Sequence, residues 1–74
     1  MSRKNQIVFM QTRILRLASE KWNISIQQAN EIFHNFKILD MIENCFDLFH
    51  SEGDEAIFYD IELTLKNKGA KLGA

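Results

Sequence analysis

The stretch KILDMIENCFDLFH, residues 37–50, predicts the helix around which the rest of the fold packs. Asp40 is followed three residues later by Glu43, a spacing typical of the capping box that begins a helix. Apolar side chains then cover about half of the helical wheel and leave one narrow acidic edge, formed by Asp40, Glu43 and Asp47. Because so little of this segment is polar, we expect a helix over about residues 40–50 to be the central element.

Amphipathic segments on both sides of this stretch predict three more helices, at about residues 5–22, 26–36 and 54–68. The chain contains no proline and only 3 glycines, so the residues that usually separate strands are missing. With 74 residues the chain has room for one domain. The sequence therefore predicts an all-α, single-domain bundle of four short helices, with the domain over residues 1–69 and a flexible tail over residues 70–74.

Local signals define several helix ends. Asn23 tolerates the left-handed conformation that ends a helix, and Ser25 with Gln28 forms a capping box for the next one. Gly69 follows the last periodic residues and is predicted to cap the final helix.

Charge is distributed unevenly along the chain. Residues 1–37 carry six basic and two acidic side chains, whereas residues 38–74 carry three basic and eight acidic ones. The acidic half predicts a surface that could steer a basic partner towards the protein.

Two features bear on localisation. The longest early apolar run, residues 7–10, is too short for the core of a signal peptide or for a membrane span. A single cysteine, Cys45, cannot form an intramolecular disulfide. We therefore expect a cytoplasmic protein without membrane contact.

Cys45, His34 and His50 are the candidates for a reactive or metal-binding site. A zinc site normally needs four ligands, and here Cys45 and His50 form a lone pair. Cys45 lies among apolar residues, which favours a core cysteine, and His50 lies at a helix end, which favours a capping role. Glu43 and Asp47 form a like-charged pair with no pocket implied, and no phosphate-binding or catalytic motif occurs. We predict that the chain is not an enzyme and has no catalytic, metal-binding or cofactor-binding residues and no small-molecule substrate.

Helices two and three, joined by a short turn at residues 37–39, have the layout of a DNA-binding helix-turn-helix. Residues 40–62 contain eight carboxylates and no lysine or arginine, so the second helix would bring negative charge to the phosphates. Nucleic acid is therefore disfavoured as a partner. A nucleic-acid-binding regulator of the helix-turn-helix type is the alternative function, and the basic side of the first helix would then contact phosphate.

Apolar side chains outside the main helical faces predict a protein interface. Phe9 falls on the polar side of the first helix beside Arg13 and Arg16, and aromatic residues and arginine are enriched in interfaces. Tyr59 and Leu63 lie off the main apolar stripe of the last helix.

The partner predicted for this surface is another protein, and a second copy of the chain in a homodimer is one candidate. Ala56 belongs to the same second stripe of the last helix, and packing of that helix on both sides is the alternative explanation for the stripe. The candidate interface comprises Phe9, Arg13, Arg16, Tyr59 and Leu63 together with the acidic edge of Asp40, Glu43 and Asp47.

The order of turns, caps and apolar positions from Trp22 to Gly69 carries a family resemblance. The positions are the turn Asn23, Ile24, Ser25 with Ala29 after it, then Ile38, Asp40 and Ile42, then FDLFH at residues 46–50, and finally Asp60, Ile61, Leu65 and Gly69. On these positions the chain resembles a family of short bacterial proteins, the domain of unknown function 3791.

The resemblance implies a function as well as a fold. Members of that family are often encoded beside proteins resembling ADP-ribosyltransferase-type toxins, so the resemblance implies an antitoxin-like or accessory partner of such a toxin. Asn23 stands where the family favours glycine, and Phe58 and Tyr59 replace part of a more acidic stretch.

Overall fold

The computed structural model describes residues 2–72, which form five α-helices and contain no strand. The helices are α1 (Arg3–Trp22), α2 (Ile26–Asn35), α3 (Ile38–Asn44), α4 (Phe46–Phe49) and α5 (Asp54–Asn67). The predicted all-α bundle of short helices is confirmed, and the segment predicted as its third helix is divided into α3 and α4.

The turn between α1 and α2 follows the sequence signals. Asn23 has the left-handed conformation, with φ 55°, that ends α1. The Ser25 side chain accepts a hydrogen bond from the Gln28 backbone N–H at 3.0 Å. The Gln28 side chain accepts one from the Ser25 backbone N–H, also at 3.0 Å. The predicted capping box is therefore confirmed.

The segment at residues 37–50 differs from its prediction. Lys37 adopts a left-handed conformation, with φ 57°, and α3 begins directly after it at Ile38. Asp40 consequently lies in the first turn of α3, so the prediction that it caps this helix is wrong. Cys45, with φ −101° and ψ 12°, ends α3, and α4 begins at the next residue.

The prediction that the third helix is central is also wrong, because α1 occupies that position. α1 packs against α2, α3 and α5. A helix of 20 residues is about 30 Å long, and the long axis of the molecule measures 36 Å. α5 packs mainly against α1, whereas α3 packs against α1, α2 and α4 and has no comparable contact with α5. The core comprises the buried residues Ile7, Met10, Ile14, Ala18, Trp22, Ala29, Phe33, Ile38, Ile42, Phe46, Phe49, Ile57, Phe58, Ile61 and Leu65.

The end of α5 agrees with the prediction, and the chain stays packed beyond it. Gly69 has a φ of 83°, and the Ala70 N–H donates to the Leu65 carbonyl at 2.9 Å, which closes the helix end. Ala70 and Leu72 are half-buried against the core. Core contacts therefore extend past Gly69. The flexible tail stays a prediction for residues 73–74, which lie outside the described residues.

Candidate protein interface

Phe9 and Arg13 line a cleft between α1 and the α4 region. The cleft has a volume of about 430 Å³, and Phe46, Phe49 and His50 also line it. Phe9 is 53% exposed although its neighbours Phe46 and Phe49 are buried. Its ring is therefore available to a partner at the rim of this cleft.

Arg13 and Arg16 differ in their electrostatic surroundings. Arg13 donates hydrogen bonds to both carboxylate oxygens of Asp54, at 3.2 and 3.3 Å, and this ion pair joins α1 to the start of α5. Arg16 is exposed beside Glu20 in a neighbouring shallow groove of about 300 Å³ and forms no ion pair with residues 2–72. The charge of Arg13 is therefore already paired with Asp54, whereas the charge of Arg16 is available to a binding partner.

Ala56, Tyr59 and Leu63 form a continuous exposed stripe on α5, which we name the outer stripe. Tyr59 is 65% exposed and Leu63 is 49% exposed, and Ala56 is exposed as well. The opposite face of α5 is buried in the core, so this helix has two apolar faces and only one of them is covered. The alternative that tertiary packing buries both faces is wrong.

The predicted interface residues fall into separate groups. None of the outer-stripe residues lines the cleft that contains Phe9 and Arg13. The acidic residues Asp40 and Glu43 are exposed on α3. The structure therefore offers several small surfaces.

The acidic residue Asp47, on α4, has a partner within the chain. The Arg3 Nη1 donates to its Oδ1 at 2.8 Å. This hydrogen bond, and after it the positive charge of Arg3, lower the pKa of the Asp47 carboxyl. The Arg3 guanidinium also lies 5.2 Å from the centre of the Phe46 ring. Asp47 therefore helps to hold the start of α1 on α4.

Other carboxylates of the acidic C-terminal half also contact α1. Lys21 contacts Glu55 at 3.1 Å. The Trp22 Nε1 also donates to Glu62 Oε2 at 3.0 Å, but the indole is neutral and does not neutralise this carboxylate. By contrast, Asp40, Glu43 and Asp60 form no ion pair with any residue in the range 2–72. The negative charge available to a partner is thus smaller than the composition indicates.

Comparison with known proteins decides the family. A family model described as "Protein of unknown function (DUF3791)" matches residues 9–68, from the middle of α1 to the end of α5. The chain belongs to this family. A search of curated proteins and a search of solved structures each found no match.

Three exposed apolar residues of this DUF3791 chain escaped the sequence prediction. Leu48, which the sequence prediction placed among the apolar residues of the 40–50 helix, is 61% exposed on α4. Ile26 is exposed because it lies at the first position of α2, beyond the edge of the core. Val8 is exposed beside Phe9. Helical periodicity places it away from the buried face of α1, so the sequence did contain a signal for its exposure.

Cys45 and His50 of this family member occupy structural positions, and His34 is exposed on α2. Cys45 is half-buried and packs against the core, as predicted for a core cysteine, although it is not fully enclosed. His50 is the C-cap of α4, and its ring lies 5.3 Å from that of Phe46. Within residues 2–72, no group of three or more His, Cys, Asp or Glu side chains has the arrangement of a metal site.

Crossing a bilayer requires a long apolar helix, and residues 2–72 form five helices. None of them combines the length and apolar character that crossing a bilayer needs.

Proposed function

We propose that this DUF3791 protein is a protein-interaction module that contacts its partner through the outer stripe of α5. The supporting observation is the exposure of Tyr59 and Leu63 one turn apart on a helix whose other face is buried. Exposed apolar side chains that lie together, and not singly, are typical of binding surfaces. Tyrosine is also among the residues that contribute most to binding energy at interfaces.

The rim of the α1 cleft is the competing surface for the same function. Phe9 is as exposed as Leu63, and the unpaired Arg16 lies on the same helix. However, Phe9 and its exposed neighbour Val8 point about 100° apart around α1, whereas the three residues of the outer stripe lie on one face of α5. We therefore assign the main contact to α5 and a secondary contact to Phe9.

The sharper form of the proposal is an antitoxin-like or accessory partner of an ADP-ribosyltransferase-type toxin, acting in the cytoplasm. Family membership supports this form of the proposal, because the resemblance implies that members of the family are often encoded beside such toxins. The unpaired carboxylates of Asp40, Glu43 and Asp60 also support it, because they could steer a basic partner surface. A homodimer would use the same exposed residues, but its partner would be a second copy of this chain and not a toxin.

The alternative, a nucleic-acid regulator of the helix-turn-helix type, has less support. The helix that would enter the major groove is α3, which has 7 residues and no lysine or arginine. Its exposed side chains include the carboxylates of Asp40 and Glu43. Salt-dependent DNA binding that is lost in an Arg13→Gln/Arg16→Gln variant would favour this alternative.

Co-purification from the native host tests the proposed function. The tagged full chain is compared with a Tyr59→Ala/Leu63→Ala variant and with a Phe9→Ala variant by quantitative mass spectrometry. We expect the proteins enriched with the wild type to fall at least about tenfold with the α5 variant and to be retained with Phe9→Ala.

Two results would contradict parts of the proposal. If both variants fold and retain every enriched protein, the exposed residues do not form an interface. If the enriched proteins depend on the outer stripe but include no ADP-ribosyltransferase-type protein, the toxin-partner form is wrong and the interaction function remains.

A further inference from the structure

We infer that the outer stripe of α5 binds one amphipathic helix of a different protein, whose apolar face is flanked by lysine or arginine. This inference rests on the proposed interaction function and specifies the partner of the same surface.

The spacing of the outer stripe is that of a helix–helix seam. Ala56, Tyr59 and Leu63 are separated by three and four residues, the repeat with which two helices pack along each other. The stripe extends over two turns, or about 10 Å. The small Ala56 side chain allows a close backbone approach, and Tyr59 supplies a large ring with a polar hydroxyl group at its tip. These dimensions fit one short helix.

The core prevents α5 from covering this stripe itself. Ile57, Ile61 and Leu65 are completely buried on the opposite face. A rotation that buried Tyr59 and Leu63 would expose these three side chains. No part of residues 2–72 therefore covers the outer stripe, and it is open to a binding partner.

Carboxylates lie on both sides of the stripe. Successive residues of a helix are about 100° apart, so Asp60 and Glu62 flank the stripe on opposite sides. Asp60 forms no ion pair with a described lysine or arginine. Glu62 accepts a hydrogen bond from the neutral indole of Trp22 and forms no ion pair with a described lysine or arginine. The first basic residue of α5 is Lys66, at the C-terminal end of the stripe. A helix with basic flanks matches this charge pattern.

The same charges disfavour a second copy of this chain. In a two-fold symmetric dimer, residues near the axis face their own copies. With the axis at the centre of the stripe, Asp60 and Glu62 would each lie close to carboxylates of the other chain. Like charges at the flanking positions of a helix pair select against that pair.

Two synthetic peptides test the inference on the full chain. Each has about three heptads with leucine at the two seam positions, and the flanking positions hold lysine in one peptide and glutamate in the other. Binding is measured by fluorescence anisotropy, and the mass of the free chain is measured by light scattering. We expect the lysine peptide to bind at least about tenfold more tightly than the glutamate peptide, and this preference to shrink at high salt.

Variants locate the binding surface. Tyr59→Ala and Leu63→Ala should each weaken binding of the lysine peptide about tenfold, while Phe9→Ala, at an equally exposed apolar residue on α1, should leave it unchanged. An Asp60→Lys/Glu62→Lys variant should reverse the preference between the peptides. Circular dichroism of each variant verifies that it is folded.

Three outcomes would overturn the inference: equal binding of both peptides, equal loss with Phe9→Ala and Tyr59→Ala, or a dimeric mass that Leu63→Ala reduces to the monomer. These outcomes are distinguishable from failure of the proposed function. If the co-purified protein depends on Tyr59 and Leu63 but the lysine peptide shows no preference, the basic helix is wrong and the interaction module stands.

Discussion

The indole of Trp22 joins three parts of the molecule at the residue scale. Its ring centre lies 6.1 Å from that of Phe33 on α2 and 5.6 Å from that of Phe58 on α5. Its N–H donates to Glu62 at 3.0 Å. One side chain at the end of α1 therefore holds α2 and α5 in place, and it also orients a carboxylate beside the outer stripe.

Trp22→Phe should lower the free energy of unfolding by about 1–3 kcal/mol, because it removes a hydrogen bond to a charged group and part of a buried ring. Glu62→Gln is the matched variant, since its amide oxygen can still accept the bond, and it should cost less. Urea denaturation measures both. A loss in Glu62→Gln as large as that in Trp22→Phe would contradict this account, because Glu62→Gln keeps both the hydrogen bond and the indole ring.

The pair of Arg3 and Asp47 predicts a pH effect. Because the pKa of Asp47 is lower in the folded protein than in the unfolded chain, the pair stabilises the fold above the ordinary aspartate pKa. This contribution is lost as the pH falls from that ordinary value towards the lower folded value. In a carbon NMR titration, Arg3→Gln should raise the pKa of Asp47 towards the ordinary range. Arg16→Gln, on the same helix, should leave it unchanged, and an unchanged pKa in Arg3→Gln would contradict the pairing.

At the scale of the elements, helix ends agree with the sequence where a side chain makes the cap. Ser25, Gln28, Asn23 and Gly69 all act as their residue types predict. The start of α3 could not be predicted, because Lys37 has no intrinsic preference for the left-handed conformation that it adopts. The helix begins at Ile38, which is completely buried, and not after the capping signal of Asp40. The position of this helix start therefore depends on tertiary packing.

Lys37→Gly should therefore stabilise the protein by about 0.5–1 kcal/mol. Glycine removes a left-handed strain of about 1–2 kcal/mol, and its greater freedom in the unfolded chain offsets part of that gain. Lys37→Ala loses the same charge and keeps the strain. Thermal and urea unfolding should rank the glycine variant above the alanine variant, and the reverse order would refute the explanation.

The two faces of α5 should respond differently to substitution. Tyr59→Ala and Leu63→Ala should each change the free energy of unfolding by no more than about 0.5 kcal/mol, because both side chains are largely in water. Ile61→Val, on the buried face, should cost about 1 kcal/mol. A large loss in the Tyr59 or Leu63 variant, measured by urea denaturation, would mean that the outer stripe serves stability and not binding.

At the scale of the whole molecule, the basic N-terminal half of the sequence forms ion pairs with the acidic C-terminal half. Among residues 2–72, three ion pairs join α1 to the C-terminal half, and they follow the same order along both segments. The pairs are Arg3–Asp47, Arg13–Asp54 and Lys21–Glu55. The C-terminal half therefore runs alongside α1. These pairs are exposed, so they orient the segments more than they stabilise them.

The sequence predicted the all-α class, three of the helices and the exposure of Phe9, Tyr59 and Leu63, because periodicity and caps are local properties. It did not predict the central position of α1 or the pairing of Arg13 with Asp54. Both depend on which faces meet in the fold, and helical periodicity carries no information about that.

Chemical-shift mapping of the full chain with the lysine peptide tests the central claim most directly, because it reads every backbone amide in one titration. We predict saturable shift changes that cluster at Ala56, Tyr59 and Leu63, with Phe9 unaffected. Changes that cluster around Phe9, or no saturable change at all, would contradict the account.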